Sequence, residues 1–484
     1  MHNTRLPAYA AMSAIVGLLG LPTPSMGQAA PPDINPIFAC NVTSDTVKGS
    51  TPPAATPIEP KLLTSGQPCD RFSDGPLLFP GENLRSIQHT FDFYSWLTFL
   101  ALNAPAAGGQ IGPNVRTMWE DIKNYRQLAN VMLPHGAKPS WGTRPPLPPA
   151  CRGKGSPDTM VVTVEEEAFN QPFKSGPLID QNGHYALFDI LMNKPMFDYM
   201  LIHGLYSVKG QQAFPDTVDF PSGNSTGFKG IKPVPNTPGH MGAVMIKVSW
   251  KIMDPIKDRD RMSKFHTVDA LVYLPGPPDT KHGPACAPAK LGMIGFHVGH
   301  KTDFAPQWIW TTFEHIKNVP NQKDVDAGKL APPYNFYDPA CKTCLVNEVP
   351  VAQPWDPNMT FLFPHGFKSQ ITRMEPVLPD AVDMNNGFHK LVAGTVWENY
   401  ELVSTQWPSN QGCTQDPELQ KIDSTCAPVP STLANSTLET FSQALNKGSV
   451  PIATSSCMAC HNDATTRKVP AATSDFTFML EKAH

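Results

Sequence analysis

The 484-residue chain lacks an excess of charge of either sign: 38 Lys and Arg stand against 42 Asp and Glu, a formal net charge of −4. That balance disfavours nucleic acid or an anionic membrane surface as the partner. Long apolar runs are scarce too. The one at residues 6–21 falls short of the roughly 20 residues that a spanning helix needs, and no later segment approaches it. No dinucleotide fingerprint, phosphate-binding glycine loop or nucleophile-triad motif occurs, which leaves a nucleotide or other second cofactor without support. Internal repeats are absent, and so are low-complexity tracts beyond proline-rich loops.

At the N-terminus, Arg5 precedes the apolar stretch LPAYAAMSAIVGLLGL, and residues 22–30 are small and rich in breakers. This anatomy predicts a signal peptide over residues 1–27, with Ser25 and Gly27 small at the two positions a signal peptidase reads. The other reading, an uncleaved anchor, meets the length objection. Removing that segment deletes Arg5 and no acidic residue, so the mature chain is slightly more negative. Hydrophobic residues make up 40% of the chain and Phe alone numbers 25, enough for a sizeable core. The 53 prolines are about twice the average share and cluster at residues 52–60, 145–149 and 275–278, which read as long ordered connections.

Residues 86–103 (SIQHTFDFYSWLTFLALN) are apolar around the whole helical circumference, the pattern of a helix buried on all sides. Residues 117–132 place Trp119, Ile122, Tyr125 and Leu128 on one stripe and predict a second helix. A third is expected from Pro195, burying Phe197, Met200 and Leu205. The period then changes to two. Residues 244–253 (VMIKVSWKIM) put Val244, Ile246, Val248, Trp250 and Ile252 on one face of a strand, and residues 185–192, 267–274, 293–300, 307–315 and 394–407 read alike. Near the end, Ser436 and Glu439 form the S-x-x-E of a capping box, predicting a helix that carries Leu438, Phe441 and Leu445 as far as Gly448. The expected fold class is α+β: a β-rich body with several packed helices and long Pro-rich loops over residues 28–427, then a short, mostly helical segment over residues 428–484.

That last segment holds Cys457-Met458-Ala459-Cys460-His461, a C-x-x-C-H. Two intervening residues let both sulfurs meet one porphyrin edge while the adjacent His turns under the iron, so the motif predicts one covalent haem c with His461 as its iron ligand. A disulfide between the two cysteines, with His461 a bystander, is the competing reading. The other C-x-x-C, Cys341 and Cys344, is followed by Leu345 rather than His and has no second ligand pair beside it. A disulfide, internal or to another cysteine, is expected there rather than haem or zinc. Eight cysteines remain outside the haem motif, an even number compatible with up to four disulfides, and Cys413 with Cys426 is an expected pair because both sit in one polar, Pro-containing loop.

For the second axial position only Met479 and His484 are available downstream; Met479 could fold back over the haem, and its alternative is a core methionine. Otherwise the ligand comes from the body, or the site is open. Residues 293–318 (MIGFHVGHKTDFAPQWIWTTFEHIKN) are the densest in chemistry, and His300, His315, Trp308 and Trp310 are the haem-facing candidates there, each weighed against an ordinary place in the core. Too little chain surrounds the motif to wrap a haem. Its edge is therefore expected to pack on the body.

Several segments together resemble a known family: FDFYSWLTFLALN, IDQNGHYALFDILMNKPMFDYM, HKT…PQWIWTTFEH, GTVWENYELVSTQWP and SSCMACHNDA…SDFTFML. They look like the large bacterial proteins called cytochrome c family proteins, a long unclassified body ending in one C-x-x-C-H. The resemblance implies a haem protein of the bacterial periplasm with no assigned reaction, and it carries over only Cys457, Cys460 and His461. The function expected is electron transfer with a periplasmic redox partner protein. The alternatives are a haem-dependent oxidoreductase working on a small-molecule substrate, oxygen or peroxide at an open haem face, and a haem-containing binding or sensor protein.

Overall fold

The computed structural model describes residues 84–107, 111–169, 171–172, 175–222, 242–275, 284–301, 307–349, 367–409, 415, 427–444 and 455–484. The expected signal peptide, the proline cluster at 52–60, Cys40, Cys69, Cys413 and Cys426 lie outside these residues.

The alternating segments pair into one nine-stranded sheet. Its strands are β1 (Tyr125–Gln127), β2 (Met160–Thr163), β3 (Leu187–Asn193), β4 (Val244–Ile252), β5 (Thr267–Leu274), β6 (Ala285–His300), β7 (Ile309–His315), β8 (Tyr400–Pro408) and β9 (Pro428–Val429). The main path runs β1-β3-β4-β6-β7-β8-β9, with β5 on β6 and β2 on β5. Every pairing is antiparallel except that of β2 with β5. β6 is long enough to serve two neighbours on one edge: residues 285–292 pair with β5 and residues 295–300 with β7, while β4 pairs with residues 291–300 along the other edge.

Among the described residues six helices accompany the sheet: α1 (Leu84–Leu102), α2 (Lys194–Ile202), α3 (Val208–Ala213), α4 (Gln322–Asp326), α5 (Pro379–Leu391) and α6 (Cys457–His461). None is long and apolar enough to cross a membrane. Period two in β4 sorts its side chains. Val244, Ile246, Val248, Trp250 and Ile252 enter the larger core, beneath α1 and α5. There Trp96 stacks on Phe388 at 4.9 Å and donates to Asn385 at 2.9 Å, and Phe99 stacks on Phe313 at 4.2 Å. On the opposite face, Met192, Met245, Trp308 and Trp310 join Met196, Phe197 and Met200 of α2 in a second apolar cluster. The C-terminal segment completes that cluster with Met458, Phe476, Met479 and Leu480. These two layers make the α+β architecture.

Two expected helices are different. Residues 117–132 form a 3-10 turn (Met118–Glu120), then β1, then a second 3-10 turn (Leu128–Asn130). The Thr117 N–H donates to the Glu120 carboxylate at 2.6 Å, so the first turn is capped, but the Asn124 N–H returns to the Asp121 carbonyl at 2.9 Å and closes a turn. Pairing with β3 then overrides the helical stripe. The S-x-x-E near residue 436 does not form a capping box either. Ser436 donates its hydroxyl to Glu314 at 2.7 Å, and Glu439 turns to His297 at 3.1 Å, so both capping groups are taken by the sheet. Within the described residues a 3-10 turn, Thr440–Ala444, stands where the helix was expected, and Leu445 and Gly448 lie outside them.

Disulfides join Cys151 to Cys286, with Cα atoms 5.1 Å apart, and Cys341 to Cys344, the internal pairing of the second C-x-x-C.

Candidate functional site

The C-x-x-C-H motif is itself the one-turn helix α6. Ser456 caps it by accepting the Ala459 N–H at 3.3 Å. Gln406 of β8 holds its N-terminus, the side-chain oxygen accepting the Met458 N–H at 2.9 Å and the Ser456 hydroxyl at 3.1 Å. The Gln406 amide nitrogen donates to the Pro430 carbonyl at 2.7 Å, so the amide is fixed at both ends. Cys457 and Cys460 are free thiols, each partly exposed.

His461 lies between three groups. Its Nδ1 is 2.7 Å from the Phe476 carbonyl oxygen, which accepts only, so Nδ1 carries the proton. Its ring packs on Trp310 at 4.4 Å and on Phe478 at 5.1 Å between centroids. Asp475 and Phe476 both have left-handed backbone (φ 55° and 61°), uncommon for residues with a Cβ. Long-range bonds hold them there. The Asp475 carboxylate accepts from Lys301 Nζ at 2.6 Å and from the Phe220 N–H at 2.7 Å, and the Phe476 N–H donates to Gln415 at 2.8 Å. The turn so fixed aims the Phe476 carbonyl at His461.

Charged groups stand beside the motif on the same face of the sheet. Lys247 and His297 are opposite one another on β4 and β6; Lys247 pairs with Glu167, and His297 with Glu439 at 3.1 Å. Burial pushes the Cys457 thiol well up and the Cys460 thiol up to about 12, Glu439 adding to each rise and Lys247 opposing it. Burial also lowers His461 to about 4, against the bond from Phe476. Burial alone would raise Glu439, but His297, Lys247 and the Asn435 N–H outweigh it and hold the carboxyl at about 2. The site therefore presents two neutral thiols and a neutral imidazole, the form that can ligate a metal.

Of the body residues expected to face a haem, Trp310 reaches ring contact with His461. Trp308 is its neighbour at 6.4 Å, fully buried in the second cluster. His300 lies on the other face, hydrogen-bonded through Nδ1 to the Tyr94 hydroxyl of α1 and lowered to about 3 by burial. His315 stacks on Phe265 at 4.0 Å and bonds to the Lys264 carbonyl at 3.1 Å in the larger core. Neither histidine is brought to the motif. Met479 is buried in the second cluster with Met458, Trp308 and Trp310. Gln406, Lys247 and the Phe476 carbonyl carried no sequence signal for this site.

The donor set fits a haem c. The two thiols are unpaired and one turn apart, Nδ1 is engaged, and Nε2 has no hydrogen-bond partner among the described residues. No group of three or more His, Cys, Asp or Glu among those residues is placed to hold a bare metal ion. Comparison of the chain with family models, with curated proteins and with solved structures finds no match in any of the three.

Proposed function

We propose that the chain is an exported, periplasmic monohaem c-type cytochrome that exchanges electrons with a partner protein. In this reading haem c is held by thioether bonds to Cys457 and Cys460 and ligated by His461. The observation that carries the reading is the hold on His461. Donation from Nδ1 to the Phe476 carbonyl fixes the tautomer and ring orientation and makes the free Nε2 more basic, the arrangement that supports metal-ligating histidines. A bound haem c would supply an iron that cycles by one electron. Around it, Trp310 and Phe478 exclude water from the His461 ring, and Gln406 anchors the helix that carries the thiols.

The test is expression with a cytochrome c maturation system, followed by a haem stain after denaturing electrophoresis and a pyridine haemochrome assay. One covalent haem per chain, lost in a Cys457→Ala, Cys460→Ala double variant, is the expected result. A folded wild-type chain without covalent haem overturns the proposal. Rapid carbon monoxide binding by the reduced protein would move the reading to a haem-dependent oxidoreductase with an open iron face.

A further inference from the structure

Lys301 directly follows β6 and is only 3% exposed. Its Nζ donates to the Asp475 carboxylate at 2.6 Å and to that of Asp219, the first buried beside it and the second largely exposed. The same Asp475 oxygen accepts the Phe220 N–H at 2.7 Å. One carboxylate thus joins the end of β6, the segment at 219–220 and the C-terminal turn. Asp475 is the first of the two left-handed residues of that turn, and the second, Phe476, accepts the His461 Nδ1–H at 2.7 Å. Residues with a Cβ keep such a backbone only where the surroundings over-determine it. Gln415 does so from one side, through the Phe476 N–H, and Lys301 from the other.

We propose that Lys301 is a positioning residue for the haem: acting through Asp475, it holds the Phe476 carbonyl on His461 and so keeps the reduction potential low. The inference rests on the cytochrome reading above. Donation from Nδ1 to a carbonyl makes the imidazole a more basic ligand, and a more basic ligand stabilises ferric over ferrous iron. A loosened turn weakens that bond, and the potential rises. The sign sets this role apart from a general one. Removing an ammonium near the haem would, by its charge alone, lower the potential, because the ferric form is the more positive. Water admitted to a loosened site would also favour the more highly charged ferric form and lower it. Loss of the Nδ1 bond acts in the opposite direction to both.

Spectroelectrochemical titration of the full-length, haem-loaded protein reads the potential, with the pyridine haemochrome assay run on every variant. Lys301→Met is expected to keep its covalent haem and to raise the midpoint by at least a threefold change in the reduction equilibrium constant, about 28 mV for one electron. Lys301→Arg, which keeps the charge and the donors, should stay at the parental value. If Lys301→Met does not fold, Lys301→Gln, which drops the charge but keeps a polar tip, carries the same test. An unchanged or lowered potential in the haem-loaded Met or Gln variant overturns the proposal and leaves the cytochrome reading standing. A rise that Lys301→Arg shares in full also overturns it. A folded wild-type chain without covalent haem overturns both.

Discussion

Trp310 and Gln406 are opposite one another on β7 and β8, one packing against the ring of His461 and the other bonded to the N-terminus of the helix that carries it. A single cross-strand pair thus seats both ends of the C-x-x-C-H motif. Directly opposed residues in an antiparallel pair keep their side chains about 4.5–5.5 Å apart at Cβ, so the spacing of the seat is set by the sheet rather than by the motif.

Gln406→Ala leaves the Met458 N–H, the Ser456 hydroxyl and the Pro430 carbonyl without their partner. The expected cost is about 1–3 kcal/mol, read as a lower denaturant midpoint with an unchanged m-value. Protease cleavage near residue 456 should rise with it. A variant as stable and as resistant as the parent would show that Gln406 does not anchor α6.

Met479 is packed among Met458, Trp308 and Trp310. As a core side chain, it should tolerate Met479→Leu at under about 1.5 kcal/mol, while Met479→Ala costs about 2–5 kcal/mol. The visible spectrum of the haem-loaded protein should be the same for the parent and the Leu variant. A changed ferric spectrum in that variant would identify the thioether as an iron ligand.

Asp92 is fully buried under β8, and burial pushes its carboxyl up to about 7 against opposing bonds from Thr405 and Gln88. Asp189 is raised to about 7 by burial as well, against its bond from Gln127. Both folded-state values lie above the ordinary 3.8, so the native state keeps protons that the unfolded chain has released. Stability contributed this way is complete below about pH 4 and is lost as pH rises to about 7. Thermal midpoints should therefore fall across that window. Asp92→Asn should remove about half of the slope, and Asp92→Asn with Asp189→Asn nearly all of it.

The Cys151–Cys286 disulfide ties residues 135 positions apart and packs beside Leu271. Closing so long a loop should contribute about 2–5 kcal/mol. A Cys151→Ala, Cys286→Ala variant is expected to unfold at correspondingly lower denaturant, whereas loss of the short Cys341–Cys344 loop should matter less. Equal effects of the two would argue against a loop-length origin.

Much of this was legible in local pattern. The apolar circumference of residues 86–103 became α1, Pro195 opens α2 with Asn193 as its cap, and the period-two segments became β3 to β8. Local pattern failed where polar groups had two suitors. Glu120 capped one turn as a helix would, yet the next residues paired with β3; Ser436 and Glu439 had capping spacing but bonded to Glu314 and His297 more than a hundred residues away. Such competition is decided by partners that a window of sequence does not contain.

By itself the sequence determined the C-x-x-C-H spacing and the alternation that sorts each strand into two faces, because both are properties of neighbours along the chain. A spacing of three likewise puts His297 and His300 on opposite sides of β6, because side chains alternate along a strand. Only the tertiary structure decided which face meets the motif, and so that Trp310 reaches His461 while His300 turns to Tyr94. The same holds for Arg126, whose charge is ordinary in sequence but which the sheet edge buries to 3% exposure, with Nε and Nη1 lacking a hydrogen-bond partner among the described residues. The physical reason is common to both: strand order and register bring together residues far apart in the chain, and desolvation acts on a group only through what then surrounds it.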